Sequence, residues 1–276
     1  MADSRAVLIT GSTGGIGAAT VGLLRSRGFT VYAGARGPAD FGEGVHVLPL
    51  DVADPDSVAA AAKRVAGEVD GLRAVINNAG VIVQGPLELV PDDEWRRQLE
   101  VNTLGPASVI REFLPLVRAG AGRIVNISAP TGRIAMPLLG ALSASKAGLE
   151  SMSNALRLEL APWKIPVVVI EPGSTRTAIF TKAGAAAEAA LQRVDQERIT
   201  LYKAHLAAYE KAASRFKPGP AEKVAEVVVR AVEAPRPKRR YTVGDARTLG
   251  GVLTKLPAGL RDRLVSGTLG LSGIKP

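Results

Sequence analysis

Ala6-Val-Leu-Ile-Thr10 runs directly into Gly11-Ser-Thr-Gly-Gly-Ile-Gly17, and the fold turns on this stretch. Five apolar or β-branched residues read as a strand, and Ile16–Arg27 reads as the helix that follows. The glycines between them, Gly11, Gly15 and Gly17, let the backbone turn sharply and come close to a phosphate group. Backbone N–H groups at the start of the helix would face that anion. In a strand-to-helix setting this turn marks a nucleotide site far more specifically than glycines alone.

The pattern repeats outward along the chain. Ala6–Thr10, Thr30–Ala35, Val45–Leu50, Ala74–Asn77, Arg123–Ser128, Val167–Glu171 and Tyr241–Val243 read as strands. Most are continuous apolar runs, as expected for strands covered on both faces of a parallel sheet. Ile16–Arg27, Asp56–Ala66, Pro91–Arg118, Ser143–Pro162 and Pro220–Ala234 read as the intervening helices. This alternation predicts an α/β fold, a Rossmann-type doubly wound parallel sheet in one domain, with ligands at the carboxyl ends of the strands. Residues 174–216 break the alternation and read as a helical lid over that edge. Residues 247–276 form a C-terminal amphipathic tail carrying Leu249, Val252, Leu253, Leu256, Leu260, Leu264 and Val265, interrupted at Pro257. The expected organisation is residues 1–246 as the nucleotide-binding domain with its lid and 247–276 as the extension. The tail packs on the body or a second subunit, with attachment to a membrane surface as the alternative.

Composition narrows the chemistry. With 276 residues, 46% of them hydrophobic, there is ample material for a core, yet aromatics are only 4%, so Ala, Val, Leu and Ile must build it. There is no cysteine, which excludes disulfides, thiolate metal ligands and a thiol nucleophile. Two histidines, His46 and His205, leave little room for a histidine metal site or a Ser-His-Asp relay, and no metal is expected. The net charge of +9 is spread along the chain, with one cluster at Arg236, Lys238, Arg239 and Arg240 that reads as a solvated loop rather than a nucleic-acid site. The early charges of Met-Ala-Asp-Ser-Arg do not read as a signal peptide, and no apolar run approaches a transmembrane length. A cytoplasmic location is expected.

Five ordered features, Thr10-Gly-x-x-x-Gly-Ile-Gly17, Asn77-Asn-Ala-Gly80, Asn102, Lys146 and Pro172-Gly173, resemble the short-chain dehydrogenase/reductase family over about residues 5–245. The resemblance implies a nicotinamide dinucleotide held by Gly11, Ser12, Thr13, Gly15, Ile16 and Gly17, with Asp51 and Val52 at the adenine. It also places Asn78, Ala79, Gly80, Lys146, Pro172, Gly173, Thr175 and Thr177 along the cofactor cleft. The second strand ends in Tyr32-Ala-Gly-Ala-Arg36, with no acid before Asp40. A carboxylate there would select NAD, whereas Arg36 suits the 2′-phosphate of NADP(H).

In the resembled family the catalytic set is Asn, Ser, Tyr and Lys, with the Tyr four residues before the Lys and the Ser about thirteen before the Tyr. Asn102 and Lys146 are present. Leu142 stands at the Tyr position and Ala129 at the Ser position. Neither side chain can donate a proton or bond a reacting oxygen, so the family's usual carbonyl chemistry lacks both contacts. Ser143, Ser128, Thr131, Tyr202 and Tyr209 are the hydroxyls that remain as substitutes.

Three functions follow. The first is an NADP(H)-dependent oxidoreductase with altered proton handling, reducing a hydrophobic C=N, C=C or C=O substrate. The others are a nucleotide- or ligand-binding module with little activity, and a non-redox catalyst in an apolar pocket. The family resemblance also implies a homodimer or homotetramer.

Overall fold

Alternating runs of Val, Ile, Leu and Ala become seven parallel strands in a computed structural model that describes residues 5–274. They are β1 (Ala6–Thr10), β2 (Thr30–Ala35), β3 (Val45–Pro49), β4 (Ala74–Asn77), β5 (Arg123–Ile127), β6 (Val167–Pro172) and β7 (Arg240–Val243). Their order in the sheet is β3-β2-β1-β4-β5-β6-β7. Every pairing is parallel, so the sheet reverses its winding between β1 and β4. That switch point opens a crevice at the carboxyl edge, where Gly11 and Asn78 emerge.

Helices cover both faces. α1 (Gly15–Ser26) and α8 (Ala221–Glu233) close one side, burying Val21, Leu24, Val224, Val228 and Val232 on Val7, Ile9, Val125 and Ile170. α2 (Pro55–Ala66), α4 (Gly105–Ala119) and α5 (Gly140–Glu159) close the other over Leu8, Tyr32, Val75 and Ile124. Strand alternation sends neighbouring residues of one strand to opposite cores, which is why Ile124 and Val125 join different clusters.

Pro91–Arg118, predicted as one helix, is two. α3 (Asp92–Leu99) and α4 flank a π turn at Glu100–Leu104. Pro106 lacks the N–H that would continue the α-helical ladder, and the widened turn swings Asn102 fully inward. α5 begins three residues earlier than expected and ends before Pro162, which lies in a 3₁₀ turn.

The lid consists of α6 (Ile179–Leu191) and α7 (Gln196–Ala213). The tail forms α9 (Ala246–Val252) and α10 (Ala258–Thr268). Val265 and Leu269 pack on Ala212 and Tyr209 of the lid and on Ile134 and Met136. The tail therefore rests on the lid through Val265 and Leu253 of the expected apolar residues and through Leu269, which was not among them. Val252, Leu260 and Leu264 are exposed, and the side chain of Leu249 lies outside the described residues. The basic cluster also needs correcting at Arg240, which is a β7 residue paired with Glu150 and Glu171 rather than solvated. Among the described residues no helix is long and apolar enough to cross a membrane.

Candidate active site

The glycine turn is shaped by contacts that no side chain could share. Gly11 has φ +64°, a conformation open to glycine. A Cβ on Gly17 would meet the Gly11 carbonyl oxygen at 2.2 Å and Asn78 Nδ2 at 2.9 Å. One on Gly15 would meet Thr177 Cγ2 at 2.7 Å, so the loop after β6 reaches across to the first turn of α1. Asn78 ties the two halves of the crevice together: its Nδ2 donates to the carbonyls of Thr10 and Gly11, both at 3.0 Å. Thr10 Oγ1 accepts the backbone N–H groups of Asn78 and Ala79 at 3.1 and 3.0 Å. Ala79 and Gly80 continue along the crevice wall.

The remaining predicted cofactor residues divide by orientation. Thr13 is exposed on the turn, and Ile16 packs into the α1 core. Ser12 is fully buried and donates to the Gly34 carbonyl at 3.0 Å, which fixes the turn to β2. Arg36 is exposed at the end of β2 and has no hydrogen bond or ion pair among the described residues. Asp51 accepts the Ala53 N–H at 3.0 Å, and buried Val52 is held under Gly105. Pro172 ends β6, Gly173 N donates to the Val243 carbonyl at 2.9 Å, and Thr175 Oγ1 donates to the Gly173 carbonyl at 2.9 Å. All but Thr13 and Arg36 are at least partly buried.

Beside Gly80, the π turn and α5 bring Asn102 and Lys146 together. Asn102 Oδ1 accepts the Val81 N–H at 2.9 Å while its Nδ2 donates to the Val81 carbonyl at 2.9 Å. Gln98, one helical turn earlier, grips Val83 N and Val81 O in the same way. Both amides also donate to Ser145 Oγ, which in turn donates to the Leu142 carbonyl. Gln98 and Ser145 were not anticipated. Their signal is the 98/102 spacing of buried amides on one helix face and the hydroxyl adjoining Lys146.

Lys146 is buried and donates to the Ile127 carbonyl at 2.8 Å. Burial pushes its ammonium down from 10.5 to about 8, opposed in part by the Glu150 carboxylate. Burial thus penalises the charged form, although at pH 7 the ammonium still predominates. The cost of charging it is fully present below about pH 8 and is relieved as pH rises toward the unfolded value of 10.5. The gap between 10.5 and about 8 corresponds to roughly 3 kcal/mol. Thermal melts of the nucleotide-free protein at about pH 7.5 and about pH 9.5, on either side of the lowered value, should show wild type gaining stability relative to Lys146→Met as pH rises. Parallel profiles would contradict this placement.

Leu142 lies 6% exposed among Ile82, Leu139, Ile179 and Ala183, so lid helix α6 sits on the position where a proton donor was sought. The candidate substitutes fare unequally. Ser143 Oγ donates to the Leu139 carbonyl at 2.8 Å and accepts the Met136 N–H. Tyr202 donates to Glu88 Oε2 at 2.8 Å, at the lid's outer edge. Ser128 Oγ and Thr131 Oγ1, beside Ala129, are buried without a hydrogen-bond partner among the described residues. Tyr209 lines a cavity of about 470 Å³ between the lid and residues 83–94. Burial pushes its hydroxyl pKa up. That cavity is walled mainly by Val83, Leu89, Val90, Leu138, Leu191 and Leu206. It carries Glu94, Glu188 and Glu210 but no Lys or Arg.

The profile of the family described as short chain dehydrogenase matches residues 5–188. The chain belongs to the short chain dehydrogenase family. Human retinol dehydrogenase 5 is 34% identical over 97% of this chain and 90% of its own length. Mouse (Mus musculus) estradiol 17-beta-dehydrogenase 2 is 37% identical over 64% of this chain, and the match spans 50% of that longer protein. A short chain dehydrogenase from Burkholderia cenocepacia J2315, solved in complex with NADP, superposes with TM-score 0.75 at 26% identity, over 95% of this chain and 98% of its own. The seven-stranded parallel sheet with helices on both faces is the Rossmann-type fold of that solved relative.

Proposed function

We propose that the protein is an NADP(H)-dependent reductase of a hydrophobic substrate, one that takes hydride at a C=N, C=C or C=O bond without the tyrosine–serine pair. The observation carrying this reading is an intact dinucleotide cradle beside a reaction site from which both oxygen-contacting hydroxyls are missing. The Gly11, Gly15 and Gly17 turn leaves backbone space that a Cβ would fill, and it stands at the N-terminus of α1. Asn78, Ala79, Gly80, Thr175 and Thr177 would border the nucleotide along the crevice. Asp51 and Val52 would meet the adenine, and Arg36 the 2′-phosphate. NADPH, when bound, supplies the hydride.

The chain's own residues do the rest. Lys146, held by the Ile127 carbonyl, would offer its ammonium to the ribose hydroxyls, and the Gln98–Asn102–Ser145 lattice fixes the helix that carries it. The lid excludes water with Ile179 and Ala183. Leu142 and Ala129 leave the reacting centre apolar, which suits an iminium that already carries its proton, or a conjugated C=C bond whose enolate, formed by hydride addition, takes its proton from water once released. Of the carboxylates in the cavity lining, Glu94 is paired with Arg97, while Glu188 and Glu210 favour neutral or cationic substrates over anionic ones. The Leu142 seat under α6 also favours a second reading, in which the lid stays closed on a bound nucleotide and the chain acts as a binding module.

Fluorescence titration separates nucleotide choice. NADPH should bind at least about tenfold more tightly than NADH, since one charge-assisted phosphate contact accounts for about 1.5–3 kcal/mol. Arg36→Asp should reverse the order. Equal affinities for both nucleotides would remove Arg36 from this role.

A further inference from the structure

Helix α10 is apolar on two opposite sides, and only one of them is used. Val265 and Leu269 are buried on the lid. Leu260 and Leu264, also four residues apart, are 47% and 45% exposed. At about 100° per residue the two pairs point about 140° apart, so the exposed pair faces away from the body. On the helical wheel Arg263 falls to one side of the exposed leucines and Arg261 to the other. Val252, 54% exposed, and Lys255 precede them on the same segment.

The charge is one-sided as well. Among residues 247–274, Arg247, Lys255, Arg261 and Arg263 oppose a single acid, Asp262, for a net 4 − 1 = +3. Asp262 lies 3.6 Å from Arg261, while Arg263 and Lys255 have no partner among the described residues.

We infer that the outer face of the C-terminal segment docks on an anionic membrane surface. Leu260 and Leu264 enter the headgroup boundary while Arg261, Arg263 and Lys255 contact lipid phosphates. An apolar ridge flanked by cations is the arrangement that lies in the plane of a bilayer interface. A second copy of the chain fits this face less well, because a two-fold contact here brings each arginine and lysine toward its like. The inner side of the same helix packs on Tyr209, which lines the 470 Å³ cavity, so docking brings the cavity close to the bilayer. Uptake of an apolar substrate from the membrane rests on the proposed function. The docking does not.

The test is co-sedimentation of the full chain with vesicles of phosphatidylcholine alone or mixed with phosphatidylglycerol, at low and high salt. Binding to the mixed vesicles at low salt is expected, weaker by about tenfold or more on phosphatidylcholine alone and at high salt. Leu260→Asp with Leu264→Asp should lower partitioning by about tenfold or more. Arg261→Gln with Arg263→Gln should lower it by a similar factor. Both variants should keep the wild-type melting temperature. No binding to mixed vesicles, or equal binding to both lipids, overturns the inference. So does a smaller particle for the aspartate variant by light scattering, which assigns the face to a second copy. A failure to bind NADPH leaves the vesicle result standing and counts only against the proposed function.

Discussion

Leu142→Tyr combined with Ala129→Ser should turn on NADPH-dependent ketone reduction, with a rate about 10²–10⁴ above wild type. Position 142 precedes Lys146 by one helical turn on α5, and Lys146 is already held by the Ile127 carbonyl beside the β5 loop that carries residue 129. A tyrosine there would have its pKa lowered by the lysine charge and could pass a proton to a developing alkoxide, while the serine introduced in place of Ala129 bonds the same oxygen. The larger ring must displace the Ile82, Ile179 and Ala183 contacts, at about 1–3 kcal/mol of stability. Steady-state NADPH consumption over a panel of apolar ketones reads the gain. A double variant that binds NADPH, stays folded and remains silent would show that the lid geometry, not the missing hydroxyls, blocks carbonyl chemistry.

Arg240→Ala should be the most destabilising single change away from the nucleotide. Arg240 lies between the carboxylates of Glu150 on α5 and Glu171 on β6, with hydrogen bonds to both. Glu171 is fully buried. Burial pushes its carboxyl above the usual range, and Arg240 and, more weakly, Arg133 at 3.6 Å pull it back. Removing the arginine leaves two carboxylates, both largely buried, facing one another, a loss of about 3–5 kcal/mol. At about 2–4 °C per kcal/mol the melting temperature should fall by on the order of 10 °C. Adding Glu150→Gln and Glu171→Gln should recover much of that loss, because the repulsion then disappears. A melting temperature within about 2 °C of wild type would mean that the three charges are solvated and weakly coupled.

This ion network also shows where sequence reading stops. The crevice at the switch point was legible because its determinants are local: a strand, a glycine turn and a helix in one continuous stretch from Ala6 to Ser26, and Asn78 next to the end of its own strand. The placing of Leu142 one turn before Lys146 was legible for the same reason, since the two share a helix. Arg240 lies 90 residues from Glu150 and 69 from Glu171, so nothing nearby distinguishes it from its solvated neighbours Arg236 and Lys238. The π turn at Glu100–Leu104 was hidden because the apolar spacing runs on through it; Pro106, which lacks an N–H, and Asn102 gripping Val81 from another segment set it together. The tail was read as amphipathic, yet which of its two apolar sides turns inward depends on Ala212 and Ile134, far away in sequence.

Hydride transfer by the wild-type chain decides the central claim. NADPH oxidation should be followed with apolar cyclic imines, enones and ketones of matched size, each compared with a carboxylated analogue. The account predicts turnover of neutral or cationic imines or enones, at least about tenfold above any ketone, with carboxylated analogues disfavoured. Ketone reduction as fast as that of imines would contradict it and would make Thr131, Ser128 and Tyr209 the proton donors to replace. Tight NADPH binding with no turnover of any substrate would assign the chain to the binding-module reading instead.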